Sequence, residues 1–157
     1  MIEVPVTQRR IEITRLRKSN LSQKQIIARY MHLGVFPLKN PRLLDKGDCQ
    51  SWAFDRMGLP QYKFDKDIFH KLITDQIPEL TPIENLCSDS LVLYYFSEAY
   101  DPVDFGSLFH FGVGISHLGD VRVISRWGRK RKENLFIHGL GDILLCYGDT
   151  AQFFQRR

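Results

Sequence analysis

Cys49 stands in the stretch Gly47-Asp48-Cys49-Gln50-Ser51-Trp52-Ala53-Phe54, where a turn runs into a helix. His110 follows in an apolar, strand-like segment, Phe109-His110-Phe111-Gly112-Val113-Gly114-Ile115. A helix N-terminus favours thiolate over thiol. An imidazole takes and returns a proton near neutral pH. A thiol and an imidazole so equipped are the two parts of nucleophilic sulfur chemistry at a carbonyl.

Each residue also has a plainer reading. A buried cysteine behaves as a small hydrophobe, and a histidine in an apolar strand as a packed core residue. The surroundings favour chemistry. Asp48 is placed as the N-cap, so Cys49 becomes the first helical residue and backbone N–H groups point toward its sulfur. The N–H of Cys49, helped by Gln50 or a nearby side chain, would then stabilise an oxyanion. The Asp48 carboxylate opposes thiolate formation unless it is turned back to cap the helix. Gly112 and Gly114 share a strand face with His110, which predicts open space beside the imidazole.

The elements that position these residues follow from periodicity and punctuation. Residues 1–20 are polar and basic, and Ile11 and Ile13 alternate with charged neighbours, so strand or loop is expected there. Ser22 and Gln25 form a capping-box pattern, with Leu21 and Ile26 as a hydrophobic staple. Ile26, Ile27, Tyr30 and Met31 make one apolar face of the helix that follows, and Gly34 closes it. Pro37 and Pro41 mark an irregular connector. Cys49, Trp52, Ala53 and Met57 fall on one face of the next helix, which Gly58 and Pro60 stop. A third helix is expected from Asp65, ending before Pro78. Beyond it come runs of β-formers at Leu91–Phe96, Phe109–Ile115 and Val121–Ser125, with a turn at His117–Asp120. Leu135–His138 and Ile143–Tyr147 are expected as shorter strands. Closely spaced strands after helices predict an α+β fold with an antiparallel sheet.

The bulk numbers agree with one folded domain. The chain has 157 residues, of which 43% are hydrophobic and 25% charged; that suits a single core and not two ordinary ones. Net charge is +4, which permits an anionic partner without demanding one. Three cysteines, Cys49, Cys87 and Cys146, are too few and too odd for a disulfide framework. No Cys/His spacing suits a structural zinc, so no metal or cofactor is expected. The first residues lack a basic region followed by an apolar run, and no long apolar segment follows. A cytoplasmic location, or export by a signal-independent route, is the expectation, with no membrane partner.

In order, Asp48-Cys49 opens a helix, Asp89-Ser90-Leu91-Val92-Leu93-Tyr94-Tyr95 forms a strand, and His110-Phe111-Gly112-Val113 begins the next one. This pattern resembles the NlpC/P60 superfamily of papain-like cysteine peptidases and amidases, over roughly residues 44–148. The resemblance implies a papain-like catalytic core preceded by an N-terminal extension and helix, residues 1–43. It implies amide-bond cleavage, typically in bacterial cell-wall peptides and commonly next to D-glutamate, through a Cys–His thioester without metal or cofactor. Cys49 is then the nucleophile and His110 the general base and acid. The family's third polar residue, which orients the imidazole, matches Ser125, with His138 on the following element as the competitor. Asp120 would suit a transglutaminase-type Cys-His-Asp set, but it lies in the turn. Gln50-Ser51-Trp52 departs from the small pair that usually follows the cysteine. The same site would also serve deamidation or transamidation of a protein glutamine.

The run Arg126-Trp127-Gly128-Arg129-Lys130-Arg131-Lys132 reads as a solvated basic loop. Trp127 is the candidate substrate-binding residue within it, and the loop could hold an anionic ligand at the rim of the cleft. Nucleic acid is a weaker expectation. The remaining readings are a binding module that uses this loop, or a catalytically silent scaffold. Cys87 and Cys146 are expected in the core, and His32, His70 and His117 at the surface or at helix ends.

Overall fold

The computed structural model describes residues 1–38, 49–60, 77–97, 110–127 and 135–157. Along the chain these form β1 (Ile2–Glu3), α1 (Gln8–Arg17), α2 (Gln23–His32), β2 (Phe36–Pro37) and α3 (Cys49–Arg56). Then follow β3 (Leu80–Ile83), β4 (Leu91–Tyr95), β5 (His110–His117), β6 (Asp120–Arg126) and β7 (Leu135–His138). A 3-10 turn at Leu145–Tyr147 leads into β8 (Thr150–Arg156). The architecture is α+β: three helices and an antiparallel sheet of eight strands, among the described residues.

The sheet order is β1-β8-β4-β5-β6-β7-β2, with β3 also paired to β8. β5 and β6 form a hairpin closed by the pair His117 and Asp120. Its two turn residues, Leu118 and Gly119, both have positive φ, 53° and 86°, the geometry whose twist suits a tight hairpin. The last strand, β8, is inserted between β1 and β4, so both ends of the chain meet in one sheet.

Strand alternation sorts the core into two layers. On one face Leu91, Leu93, Phe111, Val113 and Ile124 pack against Trp52, Ala53 and Phe54 of α3. On the other face Val92, Tyr94, Val123, Phe136 and Phe153 pack against Ile13 and Leu16 of α1 and Ile26 and Tyr30 of α2. The sheet therefore separates α3 from α1 and α2.

Several local expectations are met by name. Both bonds of the Ser22–Gln25 capping box form. On α2, Ile26 and Tyr30 are buried, while Met31 is 48% exposed. Gly34 and Gly58 follow their helices at positive φ, where a side chain would be strained.

Others change. Residues 8–17 form a helix rather than a strand or loop. Thr7 caps it, and its buried residues Arg10, Ile13 and Leu16 are three apart, the spacing of one helical face. Ile11 and Ile13 look strand-like because Arg10 and Glu12 alternate with them. Ile143–Tyr147 contains a 3-10 turn and no strand, and the strand lies beyond it, at Thr150–Arg156. Cys146 is exposed rather than in the core. The helix expected from Asp65 lies outside the described residues, apart from Ile77 near its end. No helix among the described residues is long and apolar enough to cross a membrane.

Candidate functional site

Cys49 opens α3 and is half-buried, packed against the core on that helix's side of the sheet. Just past the end of α3, Arg156 Nη1 donates to the Met57 carbonyl at 3.4 Å. Arg156 lies beyond the Leu91 end of the sheet, since Leu91 pairs with Phe154. Cys49, at the start of α3, lies within electrostatic reach of Tyr147, whose ring stacks on His110 at one end of the sheet. Asp48, the expected N-cap, lies outside the described residues. Gln50 is half-buried in the first turn.

His110 is the first residue of β5 and is fully buried. Alternation sends its neighbours Phe111 and Val113 toward α3, and Phe54 meets Phe111 edge-on with ring centroids 5.3 Å apart. The His110 ring thus faces the α1/α2 side. It stacks on Tyr147 at 3.7 Å and 9°, with Tyr94 at 5.8 Å. Among the described residues, neither ring nitrogen has a hydrogen-bond partner. Burial, followed by the neighbouring His138, pushes its pKa well below the usual imidazole range. The ring is therefore neutral at pH 7.

The space expected beside the imidazole is filled. A Cβ at Gly112 would run into the Val123 side chain and the Ile124 carbonyl. One at Gly114 would run into the Cys87 carbonyl and Ser90. These glycines allow close approach of the protein's own chain, not of a ligand.

Ser125 and His138 come together, but with each other rather than with His110. His138 Nδ1–H donates to the Gly139 carbonyl at 2.7 Å. A carbonyl can only accept, so the tautomer is settled and Nε2 is the acceptor. The Ser125 hydroxyl donates to that Nε2 at 2.6 Å. Trp127 Nε1–H in turn donates to Ser125 Oγ at 2.9 Å. Burial holds His138 down to about 4; the bond to Gly139 opposes this, and Arg122 adds to it. The chain Trp127–Ser125–His138–Gly139 is closed and neutral, and no bond from either candidate orients His110.

Two further expectations are corrected. Trp127 is fully buried against Tyr30, Phe136 and His138, so it does not stand at a cleft rim. Arg126 is 5% exposed and not a solvated charge; residues 128–132 of the basic run lie outside the described ones. Asp120 is exposed in the hairpin. No group of residues that could hold a metal ion occurs among the described residues.

Tyr147 was not singled out from the sequence, yet it is central here. Burial raises its pKa, Cys146 raises it further, Arg17 lowers it, and Cys49 again raises it. One phenol ring thus stacks on His110 and lies within electrostatic reach of Cys49. Its role arises where a 3-10 turn meets two strand ends, and no local pattern announces it. The chain matches no known family, no curated protein and no solved structure.

Proposed function

We propose that this protein is a cysteine hydrolase of papain-like type that cleaves an amide or peptide bond, with Cys49 as nucleophile and His110 as general base and acid. The observation that carries the reading is His110 itself. A core histidine normally has its nitrogens bonded, and each buried orphan costs roughly 1–3 kcal/mol. His110 has two idle nitrogens, at the same end of the sheet as Cys49, with Tyr147 in reach of both. The imidazole would take the Cys49 thiol proton as sulfur attacks the carbonyl; the C–N bond would then break, the amine leaving with that proton, and water would hydrolyse the thioester to a carboxylic acid and the free thiol. Contact between thiol and imidazole requires His110 to leave the Tyr147 stack and turn around the sheet end. As the first residue of its strand, it makes that turn with the least disruption of the ladder. Deamidation of a protein glutamine would use the same steps.

One observation favours a second reading, a catalytically silent scaffold: the imidazole and the helix carrying Cys49 pack on opposite faces of the sheet. Alkylation by iodoacetamide across pH, read for each cysteine by mass spectrometry, separates the two readings. The half-buried Cys87 serves as internal reference. The hydrolase reading expects Cys49 to react faster than Cys87 at pH 6, and to lose that advantage in His110→Ala. Equal rates in wild type and variant would leave the scaffold.

A further inference from the structure

Charge is not spread evenly along this chain. Residues 8–32, which hold α1 and α2, contain seven Lys and Arg and one acid, Glu12, a surplus of six against +4 for the whole chain. The other residues therefore carry a slight acidic excess, and the basicity sits on one helical layer. Arg9 pairs with Asp142 and Arg15 with Glu12. Arg10 is buried among backbone carbonyls. Lys18, Lys24 and Arg29 are exposed, and among the described residues no acid pairs with them.

The packing explains why these three stand in water. Ile13 and Leu16 turn α1 toward the sheet, and Ile26 and Tyr30 do the same for α2. Lys24 and Arg29 are left on the outside of α2. Lys18 ends α1 and Ser22 caps α2, so Lys18 and Lys24 flank one short turn. Arg17 anchors this end of α1 by donating to the Trp127 carbonyl at 3.0 Å. Arg17 and Lys18 both lie within electrostatic reach of the exposed Cys146.

We propose that the outer surface of α1 and α2 binds the phosphate backbone of a nucleic acid, with Lys18, Lys24 and Arg29 as contacts and Arg17 at the edge. A nucleic acid that brings phosphates to these cations releases its own condensed counterions, and that release is the source of affinity. Tyr30 is the one Tyr, Phe or Trp in the two helices, and it is buried. No such ring is offered to stack on bases, so binding is independent of sequence. A lipid surface is a poorer match, because insertion needs exposed apolar side chains. On these helices Met31, near the end of α2, is the one large hydrophobic residue that is exposed. A protein partner would lack the apolar and aromatic anchors that such interfaces use. The surface involves neither Cys49 nor His110, so it stands apart from the hydrolase reading.

Fluorescence anisotropy of the full chain with labelled, mixed-sequence DNA and RNA duplexes tests the surface. Wild type should bind at least one of them with a Kd of about 100 μM or tighter at low salt, and the better-bound duplex identifies the source. About three to four phosphate contacts should make affinity fall roughly 40- to 150-fold between about 50 and 200 mM salt. Lys18→Gln combined with Lys24→Gln should make the log–log salt slope shallower by about 2. Arg56→Gln combined with Arg157→Gln removes the same charge from exposed sites elsewhere and should leave the slope unchanged. Substitutions at exposed positions such as these leave the fold intact. No binding to either duplex, or a wild-type slope shallower than about 1, would overturn the proposal. Equal effects of the two variant pairs would also overturn it, because net charge rather than the helical surface would then be binding. Equally tight binding to phosphatidylserine vesicles would replace it with a lipid surface, and equally tight binding to polyglutamate would reduce it to a general attraction for acids.

Discussion

The Ser125 hydroxyl serves two buried partners at once, accepting from Trp127 and donating to His138. Ser125→Ala strands both, and each orphan costs about 1–3 kcal/mol. Urea denaturation should therefore show a loss of at least about 2 kcal/mol; a loss under about 0.5 kcal/mol would mean that the three side chains are not bonded as described. The sequence identified Ser125 and His138 as polar residues on consecutive strands. It did not show that they bond each other, because that depends on β6–β7 register and on which face each occupies.

At the scale of elements, Arg10 joins α1 to the segment that carries Tyr147. Its guanidinium reaches the carbonyls of Val4, Pro5, Ile143, Leu144 and Gly148, which lie far apart in the chain. A lysine has three donors in a compact head and cannot span them. Arg10→Lys should thus cost several kcal/mol, and hydrogen exchange should show protection falling first at residues 143–148. Unchanged exchange there would contradict the collar. The β5–β6 hairpin offers the opposite test. Leu118 is 86% exposed and sits at φ 53°, a region that costs an ordinary side chain about 1–2 kcal/mol. Leu118→Asn makes the turn Asn-Gly and should raise the denaturation midpoint by up to about 1 kcal/mol of stability. A lower midpoint would show that the exposed leucine has a partner in the fold. That hairpin was legible because its turn and both strands are adjacent in sequence. The Arg10 collar was not, because a basic residue in a basic segment looks like surface.

For the whole molecule, two buried neutral imidazoles make stability depend on pH. His138 has a folded pKa of about 4, below the unfolded value of about 6.5. The unfolded state therefore binds more protons between these values. The His138 contribution is fully present above pH 6.5 and is lost as pH falls through 4. At about 1.36 kcal/mol per pH unit the loss is roughly 3 kcal/mol. His110, whose pKa is lowered by burial and then by His138, acts in the same direction. Urea midpoints measured from pH 8 to pH 4 should be flat at first and then fall below about pH 6.5. His138→Gln should show a shallower decline, and an unchanged slope would remove His138 as its cause.

Local chemistry in the chain determined the capped α2, the helix that starts at Cys49, the β4–β6 strands and their hairpin, and hence an antiparallel α+β fold. Each of these rests on residues within a few positions of one another. It also placed Cys49 at the start of a helix and His110 in a strand. Only the tertiary structure decided which side of the sheet each would face. Period-two alternation from Phe111, whose ring packs under α3, turns His110 toward Tyr147, and one residue of register reverses every such choice. The final strand was equally non-local. Thr150–Arg156 finds its place between β1 and β4 through pairings with segments far away in the chain, where no neighbouring residue specifies the partner.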